Sequence, residues 1–167
     1  MKKSISALLS LLFTASLMAG GDVSKDIPKV VPVPPPPHDA KNDTVYYEKD
    51  KDLLWQDQSY TDAEKGAFRR HQSVGKAGAY RYAVNYCEHL DYGGNVDWRL
   101  PTSDELSHIH SKVGQVFTYF TDGDFWSSTP TYEGKYYVVF PADAMRYARS
   151  PKQSNFIRCV RNITDED

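Results

Sequence analysis

The apolar positions of this chain change period along its length, and each change marks an element. Val45-Tyr46-Tyr47-Glu48 and Leu53-Leu54-Trp55-Gln56 are short apolar runs on either side of a charged turn at residues 50–52, which predicts a hairpin. Residues 58–75 are polar and without a clear period, so they read as a loop with room for a short helix. Ala79, Ala83, Tyr86, Cys87 and Leu90 then recur at helical spacing and form one apolar stripe. Gly93-Gly94 supplies the left-handed residue expected to end that helix. Pro101 fixes its own φ and biases Leu100 toward extended geometry. Thr102 and Glu105 stand at the spacing of a capping box, which opens a second helix over residues 102–112. Leu106, Ile109 and Val113 line its inner face, and Gly114 stops it.

From there on the pattern is β. Residues 125–128, 136–140, 145–149 and 156–161 read as strands. In the last of these Ile157, Cys159 and Arg161 point one way and Phe156, Arg158 and Val160 the other, which predicts a central strand with apolar residues on both faces. The order of elements gives an α+β domain: two helices packed on a twisted antiparallel sheet, with the opening hairpin beside the terminal strand.

The first residues follow other rules. Lys2 and Lys3 precede an apolar run at residues 5–19, and Ala19-Gly20-Gly21 has the small residues of a cleavage site, so residues 1–21 read as a secretory signal peptide. The run of about 15 residues is short for a membrane span. There is no Cys at the cleavage region to carry a lipid, and no other run reaches membrane length. Residues 22–41 are a proline-rich linker, extended and unable to build a core. The folded domain is expected over residues 42–162, with an acidic tail at 163–167. The mature protein is therefore expected to be exported, to the periplasm, the cell surface or the medium.

Charge narrows the partners. The 167-residue chain carries −2, and losing Lys2 and Lys3 takes this to −4, so no general nucleic-acid footprint exists. Arg146, Arg149, Lys152, Arg158 and Arg161 cluster near the end; they read as a solvated strand face, with a basic patch for an anionic partner as the alternative. The chain has two cysteines, Cys87 and Cys159, which in an oxidising compartment form one disulfide or remain as two buried thiols.

Five short motifs carry a resemblance. They are Leu54-Trp55; Tyr86-Cys87; Trp98-Arg99-Leu100-Pro101-Thr102 with Glu105-Leu106; Phe125-Trp126-Ser127-Ser128-Thr129; and Arg158-Cys159-Val160-Arg161. In this order and spacing the chain resembles the Lcl C-terminal domain family, over roughly residues 42–162. The family takes its name from the C-terminal part of a bacterial collagen-like adhesin and is similar to C-type-lectin-like folds. The resemblance implies a disulfide from an early helix to the last strand, and Cys87 and Cys159 match it in position. It also implies a secreted or surface protein, and adhesion to sulfated glycans in the namesake. The segment before the domain has no Gly-X-Y repeat, so a collagen-like stalk is not implied.

Catalytic and metal chemistry finds little support. Trp55, Trp98 and Trp126 are large apolar side chains expected in the core. Arg99 is expected to fork to a carboxylate or to carbonyls. Pro101, Thr102, Glu105 and Arg158 read as structural, and Ser127-Ser128-Thr129 as a strand-end hydrogen-bond set. His108 and His110 lie two apart on a helix and diverge too far to share an ion. Asp122-Gly123-Asp124 lacks the remaining spacing of an EF-hand and leaves an isolated calcium site as the one metal alternative. The sugar-binding Glu-Pro-Asn and Gln-Pro-Asp signatures of calcium-dependent lectins are absent, as is a Gly-x-Ser-x-Gly elbow. No catalytic residue, metal or cofactor is expected.

What remains is binding. Tyr132, Tyr136 and Tyr147 offer flat faces with polar tips, and Arg146 and Arg149 can grip sulfate or carboxylate. The expected function is a non-catalytic module that recognises an anionic glycan or a protein at the bacterial envelope or outside the cell. The alternatives are an envelope structural subunit and an oxidase of the formylglycine-generating type, the latter requiring free cysteines.

Overall fold

The computed structural model describes residues 43–164. The segments expected to be a signal peptide and a proline-rich linker, and the last three residues of the chain, lie outside the described residues. The domain is α+β, with three helices and two sheets among the described residues. No described helix is long and apolar enough to cross a membrane.

Strands β1 (Val45–Glu48) and β2 (Leu53–Gln56) form the expected hairpin, with Tyr46 opposite Trp55. Helix α1 (Asp62–Arg70) occupies the segment that reads as a loop with room for a short helix. Thr61 caps it and Glu64 answers from the third position, so α1 opens on a full capping box. Glu64 is buried, and its other oxygen accepts from the Lys76 amide at 2.7 Å and the Lys76 ammonium at 2.9 Å. Strand β3 (Ala77–Gly78) and helix α2 (Tyr80–Glu88) follow. Ala83, Tyr86, Cys87 and Leu90 are buried, as their spacing predicts. The helix ends at His89, before Gly93-Gly94; both glycines have positive φ and turn the following loop at the Tyr92–Asn95 bridge instead.

Helix α3 (Ser103–Ser111) is capped by Thr102 and Glu105. It stops at Ser111, two residues short of Val113, so Val113 is fully exposed while Leu106 and Ile109 are buried. Arg99 forks onto Glu105, at 2.9 and 2.7 Å, and also reaches Asn162. Burial opposes ionisation of Glu105, yet the Arg99 and Thr102 hydrogen bonds outweigh it and hold the carboxyl below its usual range.

Strands β4 (Phe125–Pro130), β5 (Tyr136–Val139), β6 (Arg146–Arg149), β7 (Asn155–Phe156) and β8 (Val160–Asn162) complete the chain. The larger sheet runs β3-β7-β4-β5-β6 and the smaller β1-β2-β8. The β4–β7 pair is parallel, so the sheet is mixed. The terminal strand read from the sequence is two strands. β7 lies inside the large sheet and β8 ends the small one beside β2, with residues 157–159 crossing between sheets.

Adjacent residues of the large sheet feed opposite cores. Phe125, Val139 and Phe156 join Trp55, Leu106 and Ile109 on one side. Trp126, Val138 and Ile157 join Ala83, Tyr86, Leu90 and Trp98 on the other. The period of two therefore carries apolar residues on both faces because helices cover both. Cys87 of α2 is bonded to Cys159, just before β8, with Cα atoms 5.5 Å apart. All three tryptophans are buried, and each indole N–H donates: Trp55 to Glu48, Trp98 to the Asn95 carbonyl, Trp126 to the Gly78 carbonyl. Ser128 donates to the Pro101 carbonyl, and Thr129 accepts from the Ser103 amide, so β4 holds the start of α3.

The terminal arginines do not form a solvated face. Arg158 and Arg161 are buried, and Arg161 donates to Asp97. Arg158 reaches the Gln56 and Tyr119 carbonyls and Asp57, with its guanidinium 3.8 Å from the Phe117 ring centroid. Asp57 in turn accepts the Thr118 and Tyr119 amides. His108 and His110 diverge as expected. His108 faces the β1–β2 turn, whereas His110 lies against Phe117 and Phe125 with its Nε2 shielded and unpartnered.

That setting has a pH consequence. Burial, and secondarily the Arg158 charge, push the His110 imidazole down to about 4 from a usual value near 6.5. Its unfolded form therefore takes up a proton below about pH 6.5 while the folded form does not, so stability falls as pH drops toward 4. At pH 5 the expected loss is roughly 2 kcal/mol relative to pH 7. Urea midpoints at both pH values should show it, and His110→Leu should flatten it. An unchanged pH slope in that variant would contradict the assignment.

Candidate functional site

The five residues expected to bind a ligand do not gather at one place. Tyr132 stands fully exposed on the turn between β4 and β5. Arg146 leaves the edge strand toward α3, where it pairs with Asp104 and donates to Ser107. Tyr147 donates to Asp143 and lies beneath the Arg149 guanidinium, which pairs with Asp124 at 2.7 Å. Both arginines are thus already matched by carboxylates, which leaves less charge for an anion. Tyr136 sits opposite Arg149 in the strand register and stacks its ring on Tyr80 of α2.

Tyr136 marks an open hollow with an aromatic floor. A groove of about 690 Å³ runs between α2 and β5, lined by Tyr80, Arg81, Val84, Asn85, Glu88 and Tyr136 together with the turn at Gly134 and Pro151. Its floor is the Tyr80–Tyr136 pair, stacked with ring centroids 3.4 Å apart, and Tyr80 also meets Trp126 edge-on. Helix periodicity explains the lining. Ala83, Tyr86 and Cys87 point inward, so Tyr80 and Val84, four apart, flank the groove, while Arg81, Asn85 and Glu88 stand along its rim. The Tyr80 amide donates to the Pro151 carbonyl, which fixes the helix start against the late loop. Burial and the neighbouring Tyr136 push the Tyr80 hydroxyl above the usual tyrosine range, so it stays protonated as a donor. Arg81 is exposed and has no ion-pair partner among the described residues.

Sequence reasoning missed Tyr80, Arg81, Asn85 and Glu88. The signal was present: Tyr80 and Val84 form a second apolar flank beside the buried stripe of α2. A second hollow, of about 430 Å³, lies between α1 and Phe120, with Lys65, Arg69 and Asp122 at its edge. Among the described residues, three metal-type ligands come together only at Glu48, Asp50 and His108; Asp122 is not among them.

The fold and groove define a class: an α+β module closed by a disulfide from α2 to the segment just before the last strand, and presenting an open aromatic surface. The chain belongs to the Lcl C-terminal domain family, whose model matches residues 44–161. No curated protein matches it.

Proposed function

We propose that this chain is an exported, non-catalytic binding module of C-type-lectin-like architecture, and that the α2–β5 groove takes a glycan bearing sulfate or carboxylate groups. The observation that carries the reading is the stacked Tyr80–Tyr136 floor beside the unmatched Arg81. Aromatic faces suit the apolar faces of sugar rings, and a free guanidinium grips an anionic substituent in two places. Asn85 and Glu88 add an amide and a carboxylate able to bond hydroxyl groups. Membership of a family named for an adhesin supports the binding role. The buried disulfide supports export and leaves no thiol for cysteine-dependent oxidation.

Retention on immobilised heparin tests this. The protein should elute with added salt, and Arg81→Ala or Tyr136→Ala should each weaken retention about tenfold. Arg146→Ala should change it less, because that side chain is held by Asp104. No retention at low salt contradicts the anionic-glycan reading. A stable stoichiometric protein partner in its place favours an envelope structural subunit.

A further inference from the structure

We propose that Glu48, Asp50 and His108 form a binding site for one divalent transition-metal ion of the zinc class, separate from the groove. Glu48 ends β1, Asp50 lies in the hairpin turn, and His108 projects from α3, so the site joins the first hairpin to α3. His108 Nε2 stands 3.0 Å from Asp50 Oδ2 and 3.3 Å from Glu48 Oε1. All three ligand atoms lie within 4.8 Å of one another. Ligands in a tetrahedral zinc shell, at about 2.0–2.1 Å from the ion, stand roughly 3.3 Å apart. The side chains are therefore already near the edges of such a shell.

The second observation is Glu48 itself. Its side chain is wholly buried, and Oε2 is fixed by the Trp55 indole N–H at 2.8 Å. Oε1 consequently points toward His108 with no freedom to turn, and it has no hydrogen-bond partner. A buried carboxylate oxygen without a donor is costly unless a cation meets it. Lys112 approaches but does not fill the place. Its ammonium bonds the other oxygen of Asp50 at 2.6 Å and makes only a long ion pair, at 3.5 Å, with Glu48 Oε1. One imidazole nitrogen with two carboxylate oxygens suits zinc better than calcium or magnesium, which favour all-oxygen shells. Asp50 and His108 are partly exposed, which gives the ion a path, and three protein ligands leave the fourth position for water. A bound dication repels the neighbouring ammonium, so Lys112 must swing outward and acts as a competitor.

Titration of the untagged mature protein with ZnCl2 at pH 7 by calorimetry tests the site. One equivalent should bind with a saturable heat. His108→Gln and Asp50→Asn, both at partly exposed positions, should each weaken binding at least tenfold, and Lys112→Met should tighten it. The Trp55 indole N–H resonance should shift on zinc addition, because it bonds the same carboxylate. The proposal fails if no saturable heat is seen, if His108→Gln binds zinc as well as the unaltered protein, or if CaCl2 binds equally tightly. None of these readouts depends on the groove, so the two proposals fail separately.

Discussion

Arg158→Met is expected to lower stability by about 3–5 kcal/mol, the usual effect of removing one partner of a buried ion pair. Arg158 and Asp57 have side chains only 2% exposed and meet at 3.3 Å. Without the guanidinium, the Asp57 carboxylate keeps the Thr118 and Tyr119 amides but loses its only buried counter-charge in that pair. The Gln56 and Tyr119 carbonyls lose their donors as well. The guanidinium lies over Phe117 and near Phe125, so the substitution also loosens the loop that covers the first core. For a domain with a net stability on the order of 5–15 kcal/mol, such a loss removes a third or more. Urea unfolding measures it. The companion variant Asp57→Asn, combined with Arg158→Met, should recover part of the loss because no lone charge remains. A single-variant loss below about 1 kcal/mol would show that the pair does not hold the domain together.

Replacing both cysteines with alanine should cost about 4 kcal/mol. The bond joins residues 72 apart, and closing a loop of that length removes roughly that much unfolded-state entropy in the chain-entropy account. Both sulfur-bearing residues are wholly buried in the second core, between α2 and the crossing at residues 157–159. Reductant should therefore act slowly on the folded protein and quickly once urea is present. Thiol titration of the unfolded, unreduced protein should find none. Two titratable thiols there would contradict the bond, and with it the argument that the cysteines are unavailable for chemistry.

Much of this fold was legible, and the misses have physical causes. The hairpin β1–β2 emerged to the residue because a charged turn separates two uninterrupted apolar runs. The Thr102 box located α3 because its signature precedes large apolar residues. The same signature, Thr61 to Glu64, opens α1 inside a segment that reads only as a loop with room for a short helix, because the helix buries Glu64, Gly66 and Ala67 rather than a stripe of large side chains. The acidic first turn, Asp62 and Glu64, and the basic last turn, Arg69 and Arg70, were the available signals. The final strand looked continuous because residues on both of its faces are buried. Only tertiary pairing shows that Phe156 belongs to one sheet and Val160 to the other. Arg158 illustrates the limit of charge counting: its motif reads as structural while its charge counts toward a basic strand face, and it is a core cation surrounded by Asp57 and three aromatic rings.

The site was legible in chemistry but not in place. Tyrosines and arginines in the late strands were sound candidates for a binding surface. Yet the groove needs α2 beside β5, more than forty positions apart, and only Tyr136 among the five candidates lines it. Arg146 and Arg149 are matched by Asp104 and Asp124, whereas Arg81, on a helix read for its inward stripe, stands on the rim without an ion-pair partner among the described residues.

Backbone amide mapping by NMR with a heparin-derived octasaccharide is the most direct test of the groove as the recognition surface. Shifts confined to Tyr80, Arg81, Asn85, Glu88 and Tyr136, saturating together and weakening with salt, are the predicted result. Shifts centred instead on Arg146 and the α3 side, or none at any residue of the groove, would contradict it.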